Sequence, residues 1–200
     1  MLEHVSHIDS PESPTLMLLH GYGSNKDDLF SLQPYFPGMN ILCFQAPKSL
    51  DQGGFAWYDI DWTNGTKIID PAAVKDISRS VMSDLDTWKN ENHITGKTIV
   101  GGFSQGGILS MSIYSLNYEA DAFVVMSGYM LPEWAEFNWL KDTPLLQTHG
   151  MADPVIPFEW AEAGALKLGM NPNYSFNSYQ MGHHLNAQCI TDVQLFLEAI

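Results

Sequence analysis

Basic residues, cysteines and long hydrophobic runs are all scarce in this sequence. The chain of 200 residues carries 9 lysines and arginines against 23 aspartates and glutamates, which gives a formal net charge of -14. A surface with this charge repels the phosphates of nucleic acids and of anionic membranes. We therefore expect neither nucleic acid nor an acidic membrane surface as a partner, and we interpret the charge as a solvated surface that keeps the protein soluble.

The two cysteines, Cys43 and Cys189, lack the paired spacing of a metal-binding or redox motif. Buried thiols are the expected state of both, which is compatible with a reducing compartment. Apolar runs such as residues 122–126 are far shorter than the roughly 20 residues that span a membrane. The first residues show no basic segment followed by an apolar one, as a signal peptide would. The sequence predicts a cytoplasmic protein without integral membrane association.

Short apolar runs alternate with segments of helical periodicity along the chain. Runs typical of buried strands are residues 15–20, 40–45, 98–101, 122–126 and 144–148, and residues 174–179 are predicted as a last strand. Helical patterns cover residues 26–35, 71–88, 108–116, 157–168 and 185–200. Continuous apolar strands separated by helices indicate a mostly parallel central sheet with helices on both faces. We therefore predict a single α/β domain over residues 1–200, with a long, aromatic-rich loop at residues 48–65.

The segment 102–106 reads Gly-Phe-Ser-Gln-Gly and lies between a predicted strand and a predicted helix. A G-x-S-x-G sequence in this position is typical of the nucleophile elbow, a tight turn that exposes a serine at the end of a strand. Ser104 is therefore the candidate nucleophile, although an ordinary turn serine is the alternative. The backbone N–H groups of Gln105 and Tyr22 are the candidates for binding an oxyanion.

An aspartate and a histidine follow two later strands, in the chain order of an α/β-hydrolase triad. Because the carboxyl ends of parallel strands meet at one edge of a sheet, we expect Asp153 and His183 to lie near Ser104. His183 would accept the proton of the serine, and Asp153 would orient the imidazole. Asp153 could instead cap the next helix, and His184 competes with His183 for the role of base.

Two further histidines, His20 and His149, also lie near strand ends. No short ligand spacing such as H-E-x-x-H accompanies them, so we expect them to bond loop backbone groups rather than a metal. The sequence predicts neither a metal ion nor another cofactor. Candidates for lining a substrate pocket are large side chains near the same sheet edge, which could equally cover the core: Phe55, Trp57, Tyr129, Trp134 and Met181.

Five segments together resemble the carboxylesterase and phospholipase family of small α/β-hydrolases, which includes the acyl-protein thioesterases. They are Leu-His-Gly-Tyr-Gly at 19–23, Ala-Trp-Tyr-Asp at 56–59, Gly-Phe-Ser-Gln-Gly-Gly at 102–107, Asp-Pro-Val-Ile-Pro at 153–157 and Met-Gly-His at 181–183. The resemblance implies hydrolysis of carboxylic esters or thioesters without a cofactor, and it is compatible with a homodimer.

These observations predict a serine esterase that cleaves small to medium-chain, uncharged acyl esters through an acyl-enzyme intermediate. The acidic surface disfavours strongly anionic substrates. Alternatives on the same triad are a lysophospholipase, an acyl-thioesterase or a serine peptidase. A binding protein that retains the fold without the chemistry is the alternative from outside the enzymes.

Overall fold

A seven-stranded sheet forms the centre of the computed structural model, which describes residues 1–61, 67–134 and 142–200. Its strands are β1 (His4–His7), β2 (Thr15–Leu19), β3 (Asn40–Phe44), β8 (Thr98–Phe103), β9 (Ala122–Met126), β10 (Leu145–Gly150) and β11 (Tyr174–Tyr179). Four two-residue strands form two small antiparallel pairs: β4 (Lys48–Ser49) with β5 (Phe55–Ala56), and β6 (Ile60–Asp61) with β7 (Ile68–Ile69).

The strand order is β1-β3-β2-β8-β9-β10-β11, and only the edge strand β1 runs antiparallel to its neighbour. The helices are α1 (Lys26–Phe30), α2 (Pro71–Glu91), α3 (Gln105–Ser115), α4 (Phe158–Leu168) and α5 (Ala187–Glu198). Each of β2, β8 and β10 is followed by a helix, as a parallel sheet requires. The mostly parallel α/β sheet predicted from the sequence is confirmed.

Successive side chains of a strand point to opposite faces of the sheet, so an apolar strand presents apolar side chains on both faces. Helices cover both of these faces. Met17 and Leu19 of β2 belong to the core cluster that includes residues of α2, α3 and α4. Leu16 and Leu18 belong to the opposite cluster, which includes residues of α1 and α5. Every residue of α3 is buried, so this helix lies within the molecule rather than on its surface.

Three details differ from the sequence prediction. Strand β1 was not predicted, because its half-buried, polar sequence gives no apolar run. The helix predicted over residues 26–35 ends at Phe30 and is followed by a 3₁₀ turn, since Pro34 lacks an N–H and its ring clashes with the preceding turn. The loop predicted at residues 48–65 contains β4, β5 and β6, and its residues 62–65 lie outside the described residues.

The two cysteines are buried free thiols, as predicted. Burial raises the pKa of Cys189 and raises that of Cys43 still further, where the carboxylates of Asp27 and Asp28 add to the effect. In the part of the chain that the structure describes, no helix is long and apolar enough to cross a bilayer.

Candidate active site

Ser104 occupies the sharp turn between β8 and α3. Its backbone has φ 55° and ψ -115°, a conformation that non-glycine residues rarely adopt. The turn also brings α3 against β2, because a Cβ at Gly106 would overlap the carbonyl of Leu19. The glycine two residues after the serine is therefore required by close backbone approach.

Ser104, His183 and Asp153 form a continuous chain of hydrogen bonds. The Oγ of Ser104 lies 2.8 Å from Nε2 of His183, and Nδ1 of His183 lies 2.6 Å from Oδ2 of Asp153. The structure thus brings the three predicted residues together from loops separated by up to 79 positions in the chain. Of the two adjacent histidines, His183 makes both contacts, whereas the backbone N–H of His184 donates to the Gly182 carbonyl.

The carboxylate of Asp153 is buried and fixed through both of its oxygens. While Oδ2 accepts from His183, Oδ1 accepts from the backbone N–H groups of Val155 and Ile156 at 2.8 and 2.9 Å. These bonds cap the short turn before α4 rather than α4 itself, whose N-cap residue is Pro157. Three hydrogen bonds to one carboxylate hold its plane in a single orientation.

A second histidine lies behind Asp153. Strand β10 extends to Gly150, two residues beyond the predicted end, so His149 reaches the core from within the strand. Its Nε2 lies 2.9 Å from the Ile156 carbonyl and 3.5 Å from Oδ2 of Asp153. Burial lowers the pKa of His149, and the hydrogen bond to Ile156 and the charge of Asp153 oppose that shift. The Asp153 carboxylate is therefore flanked by two imidazoles, His149 and His183.

The two candidate oxyanion donors come from different turns, one after β8 and one after β2. Gln105 is the first residue of α3, where a backbone N–H has no acceptor within the helix. Tyr22 lies in the turn after β2, and the next residue, Gly23, donates its N–H to the Phe55 carbonyl at 2.9 Å. The turn that carries Tyr22 is therefore held in place by the loop that contains Phe55.

The side chain of Gln105 holds that same loop. Its Oε1 accepts from the backbone N–H of Trp57 at 2.9 Å, and its Nε2 donates to the carbonyl of Tyr58 at 2.8 Å. The indole N–H of Trp57 in turn donates to the His20 carbonyl at 2.8 Å. Gln105 thus links the serine turn to the loop that supports Tyr22.

His20 bonds backbone groups, as the sequence predicted. Its Nδ1 donates to the Gly21 carbonyl at 2.8 Å, and its Nε2 accepts from the Ala46 N–H at 3.1 Å. An acceptor at Nε2 fixes the neutral imidazole, and burial lowers the pKa of His20. Within the described residues, no three histidine, cysteine or acidic side chains are grouped as metal ligands.

A family model of phospholipases and carboxylesterases matches residues 2–200, which is nearly the whole chain. The chain belongs to this family. It is 27% identical over 210 aligned residues to acyl-protein thioesterase 1 of Kluyveromyces lactis, covering 94% of this chain and 92% of that protein. It is 28% identical over 204 residues to acyl-protein thioesterase 1 homolog 1 of Dictyostelium discoideum, covering 92% of this chain and 89% of that protein.

Among solved structures, acyl-protein thioesterase 2 of Zea mays superposes with a TM-score of 0.81 and 23% identity, covering 100% of this chain and 99% of that one. At this sequence identity, the likeness shows a shared fold alone. Together with the family match, it makes this protein an α/β-hydrolase of the phospholipase and carboxylesterase family.

A cavity of about 370 Å³ lies beside the segment that follows β9. We call it the α4 cavity, because it lies between α4, the segment after β9 and strand β7. Of the predicted pocket residues only Tyr129 lines it, with Ile69, Met130, Leu131, Trp160 and the half-buried Lys67. Tyr129 and Trp160 stack at an angle, with ring centroids 5.3 Å apart. The walls are mainly apolar.

The other pocket candidates lie elsewhere. Trp57 and Trp134 are fully buried in the core cluster, and Met181 is buried beside Tyr179. Phe55 is half-buried and packs against the same core cluster as Trp57. For Phe55, Trp134 and Met181, the structure favours the alternative that their side chains cover the core. Trp57 is buried in the core and also lines a cleft of about 510 Å³ next to β4 and α2.

A second, shallower cleft of about 250 Å³ borders His183. We call it the His183 cleft. Its lining includes Phe103, Leu29, Leu32 and Leu185. Leu29 and its apolar neighbours belong to the core cluster of the α1 and α5 face, whereas the α4 cavity lies on the α2, α3 and α4 face. The two openings therefore lie toward opposite faces of the sheet.

Sequence reasoning missed three residues of this region. Lys67 is an isolated lysine in a loop, with no local pattern to mark it. His149 was expected in a loop, and the sequence gives no sign that it stands behind Asp153. For Gln105, the elbow motif predicts a role for the backbone N–H and gives no sign of the contacts of the side chain.

Proposed function

We propose that this protein is a serine hydrolase that cleaves carboxylic esters or thioesters through an acyl-enzyme on Ser104. The observation that carries the proposal is the unbroken hydrogen-bond chain from Ser104 through His183 to Asp153 at a turn of positive φ. A serine hydroxyl becomes an effective nucleophile when a neighbouring imidazole accepts its proton. The arrangement supplies that imidazole at 2.8 Å.

In the first half of the reaction, the Oγ of Ser104 attacks the acyl carbon while its proton passes to Nε2 of His183. The imidazolium is stabilised by the carboxylate of Asp153 and then gives the proton to the departing alcohol or thiol. A water molecule then attacks the acyl carbon of the acyl-enzyme while His183 accepts its proton. His183 returns a proton to the Oγ of Ser104 as the acid is released. Backbone N–H groups of Gln105 and Tyr22 would bind the oxyanion, and one such donor is commonly worth about 3 kcal/mol.

The apolar walls of the α4 cavity favour an acyl chain of small to medium length. Relatives named acyl-protein thioesterase support thioesters as well as oxygen esters as substrates. Lysophospholipid esters are the alternative with the same bond type. A panel of p-nitrophenyl esters of graded chain length, acyl-thioesters, lysophospholipid and peptide separates these classes by kcat/KM.

The proposed nucleophile is tested with a fluorophosphonate, which phosphonylates activated serines. We expect one label per chain on Ser104 in the wild type and none in Ser104→Ala, with loss of ester hydrolysis of at least about a thousandfold in the variant. Ser80→Ala removes an exposed hydroxyl from α2 and serves as the matched control, with labelling and turnover retained. Labelling that persists in Ser104→Ala would refute the assignment.

A further inference from the structure

Among the charged side chains that the structure describes around the α4 cavity, Lys67 is half-buried and the others are exposed. We propose that the Lys67 ammonium binds a carboxylate at the far end of the acyl group, so that the preferred substrates are half-esters or half-thioesters of dicarboxylic acids. This inference rests on the proposed function and names its substrate class. It differs from the expectation of uncharged substrates, which took the overall surface charge as its only guide.

The position of Lys67 places its charge among the walls of the cavity rather than at the surface. Its Nζ lies over the ring of Tyr129, 5.9 Å from the ring centroid. Ile68 and Ile69, which follow Lys67 in the chain, form strand β7 and line the same cavity. An ammonium near a ring face is held by the negative face of the aromatic system.

The segment that lines the cavity leaves a strand bonded to the serine turn. Tyr129 comes three residues after Met126, whose carbonyl accepts the backbone N–H of Ser104 at 2.9 Å. Burial raises the pKa of Tyr58, and the charge of Tyr129 raises it further. The Tyr58 hydroxyl lies 3.4 Å from the carbonyl of Gln105. The wall of the α4 cavity is therefore connected to the serine turn through β9 and Tyr58, and the charge of Asp153 is near enough to oppose the lowering of the Lys67 pKa by burial.

Among the described residues, no carboxylate forms an ion pair with Lys67. Glu133, Glu159 and Lys167 also line the cavity, but all three are exposed, so water screens their charges at the rim. Burial lowers the pKa of Lys67, while the charge of Asp153 acts in the opposite direction. A substrate carboxylate would favour the charged ammonium and replace the hydration that it has lost.

The chemistry decides which part of the substrate reaches Lys67. His183 must deliver a proton to the leaving group, so the leaving group has to lie beside the imidazole, in the His183 cleft. The acyl group then extends toward the opposite face of the sheet, into the α4 cavity. Its methylene chain would contact Met130 and Leu131, and its terminal carboxylate would meet Lys67.

The test compares the p-nitrophenyl half-ester of adipic acid with p-nitrophenyl hexanoate, an acyl chain of equal length that lacks the terminal carboxylate. We expect the wild type to have the higher kcat/KM for the half-ester. Lys67→Met removes the charge at similar length and should lower the ratio of the two kcat/KM values by about tenfold, as for one hydrogen bond to a charged group. Lys48→Met removes an exposed charge outside the cavity and should leave the ratio unchanged.

A wild type that prefers hexanoate, or a ratio that Lys67→Met leaves unchanged, would overturn the inference. An equal effect of Lys48→Met would assign the preference to the overall field instead and would also overturn it. Calorimetry on Ser104→Ala separates the two proposals, because binding of monomethyl adipate needs no catalysis. If binding depends on Lys67 but the wild type hydrolyses neither ester, the anion site is supported and the proposed hydrolase activity is refuted.

Discussion

Ser104 has a backbone conformation that costs about 1 to 3 kcal/mol for a residue with a Cβ. Regular hydrogen bonds on both sides hold it there. Its N–H donates to the Met126 carbonyl at 2.9 Å, and its carbonyl accepts from the Ile108 N–H at 3.0 Å. The strained residue is thus part of both a strand contact and the first turn of a buried helix. Because the backbone N–H and carbonyl of Ser104 already have partners, its hydroxyl is left to form the hydrogen bond with His183.

His149 is a positioning residue in this arrangement, because it contacts Asp153 and the Ile156 carbonyl but neither Ser104 nor His183 through a hydrogen bond given by the structure. We predict that His149→Phe lowers kcat by about ten- to a hundredfold with little change in KM, since a displaced carboxylate misaligns the proton acceptor. Steady-state kinetics and the rate of fluorophosphonate labelling measure the effect.

His149→Gln is the control for this prediction, because its amide can restore a donor to the Ile156 carbonyl. It should recover at least part of the lost kcat. Equal, small effects of both substitutions on kcat, with a lowered unfolding temperature, would show that His149 serves packing alone.

The sequence allowed the triad to be predicted, because chain order and strand ends bring Ser104, Asp153 and His183 to one edge of any parallel sheet. The partners that orient them depend on exact register instead. His149 stands behind Asp153 only because β10 continues to Gly150, and the sequence of that strand does not mark its end. Lys67 lies over the ring of Tyr129, a contact between distant parts of the chain that no local pattern marks.

At the scale of elements, α3 and the β5 loop are joined by the side chain of Gln105. Both of its polar atoms bond backbone groups of Trp57 and Tyr58, and all of these groups are buried. The loop at residues 53–57 in turn supports the turn after β2: Gly23 donates to Phe55, and a Cβ at Gly54 would overlap the Gly23 carbonyl. Gln105 therefore stabilises three segments around the serine.

We predict that Gln105→Met, which keeps the volume of the side chain, lowers the free energy of unfolding by about 2 to 4 kcal/mol. The reason is that it leaves the Trp57 N–H and the Tyr58 carbonyl buried without partners. Urea denaturation followed by tryptophan fluorescence measures the change. Gln194→Met removes one hydrogen bond at the exposed surface of α5 and should change stability by less than about 0.5 kcal/mol. Similar losses in the two variants would contradict the role given to Gln105.

Most elements of the fold could be predicted, because five of the seven sheet strands are apolar runs and β11 carries the aromatic residues Tyr174, Phe176 and Tyr179. The remaining strand, β1, lies at an edge where one side of the ladder is unpaired, and its half-buried residues need no apolar pattern. The pairs β4–β5 and β6–β7 are only two residues long, too short for any periodicity. Their formation depends on contacts with other segments: in β5, the N–H of Phe55 donates to the Ser24 carbonyl at 2.8 Å.

At the scale of the whole molecule, two buried histidines make folding sensitive to acid. Burial lowers the pKa of both His20 and His149, so their folded forms are neutral where the unfolded chain already binds protons. Stability is therefore fully present above the unfolded value of about 6.5 and decreases as the pH falls below it. His20 cannot accept a proton at Nε2 without losing its bond from the Ala46 N–H.

We predict that the free energy of unfolding falls as the pH is lowered from 7 to 5, with each buried histidine adding at most about 1.4 kcal/mol per pH unit. His20→Gln should have a shallower slope than the wild type below pH 6.5 and a parallel curve between pH 7 and 8. Denaturation curves at several pH values provide the measurement. Identical slopes in the acid range would remove His20 from the explanation.

The loops that carry Asp153 and His183 are joined before either side chain is considered. The backbone N–H groups of Met151 and Ala152 donate to the carbonyls of Tyr179 and Met181 at 2.8 and 3.1 Å, continuing the pairing of β10 with β11. A graft, deletion or chimaera that replaces one loop therefore breaks the ladder of the other. In a chimaera with a relative, the loops after β10 and β11 should therefore be exchanged together, with both crossover points outside these two loops.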